Sequence, residues 1–283
     1  MPELPEVETV KSGLAPVMDG FTFDRVTLNR PDLRFPFHPK FIDRLTGARI
    51  DGFVRRAKFI MVTLSTGDTL LLHLGMSGRF CVHAGDAKLT PGEFTHAQNT
   101  MPQHDHVIFD MSSGARVVYN DPRRFGFMEL FPAGEAIERL AHLGPEPLGN
   151  SFSPAALKDG LRGKKTKIKN ALLDQRIVAG LGNIYVCEAL YRAGISPLRA
   201  AGRLSVDEVT RLTGHIKTVL TQAIAAGGST LKDFAAADGD LGYFQHSFDV
   251  YGREDEPCKE CAAPIKRVVQ GGRSTFFCRA CQE

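Results

Sequence analysis

An α+β chain of more than one domain is what the sequence predicts, with an antiparallel β-sandwich or barrel first, helices second and a metal-bound hairpin last. Three observations carry this expectation. Short runs of β-formers separated by turns fill the first half, a capped apolar stripe at helical spacing appears only in the second, and the last residues hold two Cys-x-x-Cys pairs. With 283 residues there is room for two cores. A hydrophobic content of 43% with 24% charged residues is that of an ordinary globular chain. No apolar run approaches the ~20 residues of a membrane span, and no basic-then-apolar leader opens the chain. A cytoplasmic protein without membrane association is therefore expected. The net charge of +3 is a weak pointer to a polyanionic partner, but six basic residues against Asp174 alone between Arg162 and Arg176 are a stronger one.

The opening, MPELPEVETV, places an unusual group at the start of a helix. Pro2 is small enough for Met1 to be removed, which would expose a secondary amine that titrates near ~8 and is partly unprotonated in a cell. Pro5 suits the first helical position, and Glu6 and Glu8 suit the positive end of the helix dipole. Glu3 and Glu6, three apart, share a face beside Pro2 and fit proton transfer. A capped helix with solvated acids explains the same residues without chemistry.

After a helix ending near Asp19-Gly20, strands are expected over Phe21 to Leu28, Lys58 to Leu64, Thr69 to Leu74, His106 to Met111 and Ala115 to Tyr119, with a hairpin turn at Ser113-Gly114. Ala84 to Gln103, rich in Gly and Pro, reads as a long surface loop. Lys58 sits at a strand end. In HLGMSG two glycines bracket Met76 close to His73, and a turn tip is a poor place to bury a methionine. In DPRRFGF an Asp-Pro turn presents Arg123, Arg124 and Phe125, the composition of a wedge between stacked bases as well as of a structural turn.

Domain boundaries are expected at residues 1–133, a linker or hinge over 134–150 that includes LGPEPLGN, a helical part over 151–245 and a finger over 246–283. Helices are expected from about Ser153 to Leu161, from Thr166 to about Asp174, and from Asn183, acting as cap after AGLG. A fourth begins at the capping box Ser205 to Glu208, carries the stripe Val209, Leu212, Ile216, Val219 and Ala223, and stops at Gly227-Gly228. The helix opening at Asn183 would offer backbone N–H groups to a phosphate. Cys258 and Cys261, then Cys278 and Cys281 after 16 intervening residues, form the pattern of a closed four-thiolate Zn2+ site with a structural role. Cys81 and Cys187 read as ordinary buried thiols. The hairpin between the pairs, Lys266 to Phe277, turns near Gly271-Gly272 and presents Arg273.

Taken together, PELPEVE, HLGMSG, DPRRFG, LGPEPL, GLGN and the terminal four-cysteine finger resemble, in this order and over the whole chain, the bacterial formamidopyrimidine-DNA glycosylases. The resemblance implies an N-terminal β-sandwich hinged to a helix-two-turn-helix domain with a zinc finger. It also implies a monomeric repair enzyme that acts on double-stranded DNA containing oxidised bases or abasic sites, with nucleoid association. Pro2 would form a Schiff base with the sugar, Glu3 would donate the proton that opens it, and Glu6 would order the surroundings. Lys58 and Arg273 would serve β- and δ-elimination. Met76, Arg123 and Phe125 would fill the gap left by an extruded base, while His73, His104, Lys165 and Asn183 would contact DNA. Base selection is expected of the segment from Ser229 to Gln245. Alternatives remain at this stage: an endonuclease VIII-like enzyme for oxidised pyrimidines, a non-catalytic DNA-binding protein, or a tautomerase using an N-terminal proline as base.

Overall fold

Alternating apolar residues and tight glycine turns fold the first part of the chain into antiparallel strands, seen in a computed structural model that describes residues 1–85, 87–89, 100–229 and 244–283. Met1–Glu138 with Ala226–Gln245 form one compact unit, and Arg139–Ala225 with His246–Glu283 form a second.

In the first unit, helix α1 (Leu4–Met18) precedes β1 (Phe23–Leu28), the short α2 (Phe41–Leu45), β2 (Ile50–Arg56), β3 (Phe59–Leu64), β4 (Thr69–His73), β5 (Arg79–Ala84), β6 (Ala87–Leu89), β7 (Asp105–Met111), β8 (Arg116–Asn120) and β9 (Phe127–Phe131). The strands form two sheets, ordered β1-β7-β8-β5-β6 and β2-β3-β4-β9, paired antiparallel throughout. Inward residues of both sheets, such as Phe109, Val117 and Tyr119 from one and Ile60, Val62 and Leu72 from the other, join α1 in a single core. This is the expected sandwich. The turn at Ser113-Gly114 is also present, with Gly114 at φ +81° and its N–H donated to Met111 O.

Several elements differ from the expectation. Part of the stretch read as surface loop from Ala84 is strand: β6 turns back to pair Leu89 with Val82 and Ala87 with Ala84. Residues 86 and 90–99 of that stretch lie outside the described residues. Strands β2, β5 and β9 were hidden because arginines, Gly52 and a two-sided burial pattern blur the period of two.

Helix α3 (Glu138–Ala141) opens at the boundary between the units, and in the second unit α4 (Pro154–Leu161), α5 (Ile168–Leu172), α6 (Asn183–Arg192) and α7 (Val206–Ala225) precede the hairpin β10 (Lys266–Gln270) and β11 (Arg273–Phe277). Ser153 caps α4 by accepting the Ala156 N–H. Helix α5 is shorter than expected, with Lys167 still extended as its N-cap. Within LGPEPL the Gly144 N–H donates to Gln175 O at 2.8 Å, and a Cβ there would lie 2.5 Å from Arg176 O. The segment is thus tied into the second unit at this point.

Helix α7 follows its sequence closely. Val209, Leu212, Ile216, Val219 and Ala223 are all fully buried, and the helix stops before Gly227 at φ +75°. The Ser205 N–H donates to Glu208 Oε2 at 2.7 Å while the Glu208 N–H donates back to Ser205 Oγ at 3.2 Å, a reciprocal capping box. Among the described residues no helix is long and apolar enough to cross a membrane.

The Arg199 guanidinium, bonded to both oxygens of Glu208, brings that carboxyl down to about 2 from an ordinary 4.5 against the opposing effect of burial. Because the folded-state value is depressed, the stabilisation is complete above 4.5 and is lost as pH falls towards 2. Between pH 5 and pH 3 the protein is expected to lose about 1 kcal/mol more stability than Glu208→Gln, measured by urea unfolding. Equal acid sensitivity of the two would remove this contribution.

Candidate active site and nucleic-acid interface

The N-terminal residues are held by α1. Leu4, Val7, Val10 and Leu14 are at most 1% exposed, so the helix start is fixed from within the core. Glu3 is the N-cap, and Pro5 therefore falls at the second helical position rather than the expected first, where its missing N–H is equally harmless. Pro2, Glu3 and Glu6 are buried, whereas Met1 is 43% exposed. The Glu6 carboxylate is committed on both sides. Its Oε2 accepts the Glu3 N–H at 2.8 Å, and its Oε1 accepts both the N–H and the hydroxyl of Ser229, each at 2.8 Å. Gly228, at φ +90°, permits this approach, since a Cβ there would stand 3.2 Å from Glu6 Cγ and Oε1.

Lys58 is only 8% exposed and occupies, with Ala57, the two-residue turn between β2 and β3. Ala57 sits at φ +54°, a left-handed conformation unfavourable for alanine. Arg55 holds the turn by donating Nη1–H to Ala57 O at 3.1 Å and Nε–H to Glu8 Oε2 at 2.8 Å. Glu8 also pairs with Lys11. Burial works against the Glu8 carboxylate, yet Lys11 and Arg55 hold it below the usual range. The helix carrying Pro2 and the turn carrying Lys58 are thereby clamped together.

An open cleft of about 530 Å³ is lined by Met1, Arg34, His73, Met76, Arg123 and Phe125 among others. His73 stacks on Phe127 with ring centroids 5.1 Å apart, and its Nδ1 accepts the Gly75 N–H at 3.1 Å. Phe125 is 46% exposed, with the Arg123 guanidinium 4.9 Å above its ring. The turns carrying Met76 and Phe125 interlock: a Cβ on Gly75, already at φ +63°, would lie 2.2 Å from Gly126 N. Four sequence-selected residues thus share this cleft. His104 ends a short 3-10 turn, Pro102–His104, and its carbonyl accepts the Asp121 N–H.

In the second unit Asn183 is the first residue of α6, not its cap; Gly182 takes that position. The Asn183 side chain instead donates to Ser274 O at 2.8 Å and to the Tyr251 hydroxyl at 3.3 Å, while its Oδ1 is buried with no hydrogen-bond partner among the described residues. Asn183 therefore joins the helix start to the hairpin beside Arg273, and an anion would meet the backbone N–H groups of the first turn. Glu188, one turn on, accepts the N–H groups of Asp249, Val250 and Tyr251 at 2.8, 3.0 and 2.9 Å, and burial pushes its carboxyl pKa up. Arg273 opens β11 after Gly271 and Gly272, both at positive φ as a two-residue hairpin turn requires, and is exposed. Lys165 is exposed on the segment before α5.

The four cysteine sulfurs lie within 4.8 Å of one another. Cys258 and Cys281 are 3.8 Å apart at sulfur and Cys261 and Cys278 3.5 Å, too far for disulfides. They match the ~3.8 Å edge of a tetrahedron with metal–sulfur bonds near ~2.3 Å. Cys81 and Cys187 are buried, as expected.

Sequence reasoning missed Arg55 and Glu188, and it read Glu8 only as a helix-dipole residue and Asp121 only as a turn former, because what marks all four is a contact partner distant in the chain. It missed Arg34 because an arginine in a loop carries no period. Residues 230–243 of the expected base-selection segment lie outside the described residues.

A helix-anchored cleft edged by arginine and an exposed phenylalanine, with a separate finger-braced helix start, defines a class of protein built to handle nucleic acid. Family models agree: the formamidopyrimidine-DNA glycosylase N-terminal domain matches residues 1–128, its H2TH domain matches 143–235, and a zinc finger found in FPG and IleRS matches 255–283. A formamidopyrimidine-DNA glycosylase of Rhodopseudomonas palustris (strain HaA2) is 57% identical over 293 residues, covering 100% of both chains. Two solved structures of the Lactococcus lactis protein, a point mutant with Fapy-dG-containing DNA and the protein with abasic-site DNA, are each 32% identical over 100% of both chains, with TM-scores of 0.86 and 0.85. The chain belongs to the formamidopyrimidine-DNA glycosylase family, DNA repair enzymes that act on damaged DNA.

Interlocking of the two turns has a direct consequence. Gly75→Ala is expected to destabilise the protein by at least about 2 kcal/mol more than Gly114→Ala. Both glycines have positive φ, but a Cβ on Gly114 meets nothing within 4 Å. Equal losses on denaturant unfolding would show that the turns do not interlock.

Proposed function

We propose that this protein is a bifunctional glycosylase and AP lyase that removes oxidised purines, such as 8-oxoguanine and formamidopyrimidines, through a Schiff base on Pro2. One observation carries the reading. Met1, the residue preceding Pro2, lines the same cleft as Met76, Arg123 and Phe125, which supports a reading in which nucleophile and base-replacing side chains serve one site. The lesion-containing and abasic DNA held by the Lactococcus lactis relatives supports the substrate class.

Removal of Met1 converts the Pro2 nitrogen from an amide into a secondary amine. That amine attacks C1′ of the damaged nucleoside, the bond to the base breaks, and the base leaves with a proton. Glu3, buried at the helix start, donates the proton that opens the sugar ring. The resulting iminium acidifies the C2′ hydrogen, and loss of the 3′ and then the 5′ phosphate leaves a one-nucleotide gap. Glu6 orders the site through Glu3 and Ser229. Lys58 and Arg273 assist the eliminations chiefly as fixed positive charges beside phosphates, since a guanidinium is a poor acid. Arg123 hydrogen-bonds the orphaned base and Phe125 wedges the step. His73, His104, Lys165 and Asn183 hold the backbone.

The four cysteines hold Zn2+. Burial opposes ionisation of Cys258, yet the Tyr191 hydroxyl and the Cys261 and Glu260 N–H groups bring its thiol down to about 6. Cys281 is pushed up, first by its hydrogen bond to Cys261, so the cluster needs a cation before all four thiolates form. Cys258, Cys261, Cys278 and Cys281 would supply all four ligands of such an ion, which would then brace the hairpin of Arg273 and leave the bond breaking to other groups. Residues 1–133 form the catalytic domain, 134–150 the hinge, 151–245 the helix-two-turn-helix domain and 246–283 the finger. On this reading the enzyme acts as a monomer at the nucleoid in the cytoplasm.

Borohydride reduction during reaction with a duplex carrying 8-oxoguanine opposite cytosine is expected to trap a covalent adduct that maps to Pro2. Preference for an oxidised pyrimidine would overturn the purine assignment, and no adduct on either lesion would overturn the covalent mechanism. Glu3→Gln is expected to slow base release at least ~100-fold with DNA affinity within a few-fold; undiminished release would remove Glu3 from the chemistry. Metal chelation or Cys258→Ser is expected to weaken DNA binding roughly tenfold or more, read by titration of labelled duplex. Unchanged binding after complete metal loss would sink the finger's role.

A further inference from the structure

Asp121 is fully buried, yet its carboxylate accepts hydrogen bonds from both turns that edge the cleft. Its Oδ1 accepts the Ser77 hydroxyl at 2.6 Å and the Arg123 N–H at 3.3 Å. Its Oδ2 accepts the Gly126 N–H at 2.9 Å and the Tyr119 hydroxyl at 3.3 Å. Ser77 directly follows Met76 in one turn, while Arg123 and Gly126 bracket Phe125 in the other. Ser77 Oγ also accepts the Arg123 N–H at 3.2 Å, closing a triangle between the turns.

The Asp121 main chain is committed as well. Its N–H donates to His104 O at 3.0 Å, its carbonyl accepts the Arg124 N–H at 3.2 Å, and His106 Nε2 lies 2.9 Å from that carbonyl. A carbonyl oxygen only accepts, so His106 Nε2 carries the proton of this bond, and burial drives the ring's pKa down. Beneath the carboxylate Tyr119 leaves no space: a Cβ on Gly78 or Gly126 would lie 2.2 or 1.8 Å from its hydroxyl oxygen. Burial, together with Asp121, keeps that hydroxyl protonated and hence a donor.

We propose that Asp121 is the positioning residue that locks the Met76 turn to the Arg123–Phe125 turn, so that the side chains replacing an extruded base form a rigid platform before DNA arrives. The inference rests on the glycosylase reading and adds to it a division of labour. Ordering long side chains on the DNA would oppose extrusion at the step where unstacking is already unfavourable; a platform ordered during folding avoids that penalty. Asp121 is fully buried and bonded to the two turns, so its influence should follow the need for extrusion rather than the bond-breaking chemistry.

The test compares two duplexes, one with 8-oxoguanine paired to cytosine and one with an abasic site, which has no base to unstack. For Asp121→Asn, which keeps the shape but puts a donor against the Gly126 N–H or the Ser77 hydroxyl, single-turnover excision of 8-oxoguanine is expected to fall roughly tenfold or more. Abasic-site cleavage is expected to fall no more than about threefold. Extrusion followed by 2-aminopurine fluorescence beside the lesion should slow in parallel with excision. Ser77→Ala removes one link only and should show the same selectivity at smaller amplitude, which keeps the test decisive if Asp121→Asn does not fold. Equal losses on the two duplexes, or an unchanged extrusion rate, would overturn the positioning role. A wild-type protein inactive on both would overturn the glycosylase reading and this inference with it.

Discussion

Burial of α1 in the sandwich core is the constraint on which the candidate site depends. Chain termini usually fray, because their few contacts do not offset the entropy of ordering them. Here Leu4, Val7, Val10, Leu14 and Met18 are no more than 2% exposed, and each fully buried side chain of this kind contributes roughly 1.5–3 kcal/mol. The helix start is therefore as fixed as any strand. Glu3 and Pro2 inherit that rigidity because the capping arrangement follows directly from the first turn, and Glu6 extends it to Ser229, more than two hundred residues away in sequence. On the proposed reading, this burial is what holds a nucleophile beside the helix start in place.

Buried or half-buried carboxylates are the second recurring device. Glu6, Glu8, Asp121 and Glu188 each receive donors from segments far apart in the chain, and three of them accept backbone N–H groups. Burying a charge is unfavourable unless it is hydrogen-bonded, and these carboxylates accept two to four donors each. The result is geometric: each fixes a turn or a helix start that bears a candidate functional residue. Lys58 is held through Arg55 and Glu8, the cleft turns through Asp121, and the Asn183 helix start through Glu188 and Tyr251.

What the sequence made legible follows from the range of the interactions involved. Helix α7 was readable in full because a capping box, an apolar stripe and a Gly-Gly stop are all local. The four-cysteine cluster and the Gly271-Gly272 turn were readable because ligand spacing and positive φ are local requirements too. Asn183 was misplaced by one position because a glycine and an asparagine both suit a helix start, and the decision fell to tertiary bonds with Ser274 and Tyr251. Strand β6 was missed because its pairing with β5 is written in no residue of its own. Asp121 showed only as a turn former; that it joins two turns requires Ser77, forty-four residues earlier, to be beside it.

The second unit supports a complementary argument. Phosphates look alike at every nucleotide, so groups that contact them fix register and carry no information about the base. Arg273 and the α6 helix start are suited to such contacts. The hairpin pairs Gln270 with Arg273 in register, Gln270 is itself held by Pro197 and Thr275, and Asn183 ties helix to hairpin. Fixing an arginine's backbone on both sides leaves only side-chain freedom to be lost on contact, which favours tight, sequence-blind gripping. On the proposed reading, discrimination between damaged and intact bases must then come from the first unit, whose cleft turns carry Met76, Arg123 and Phe125.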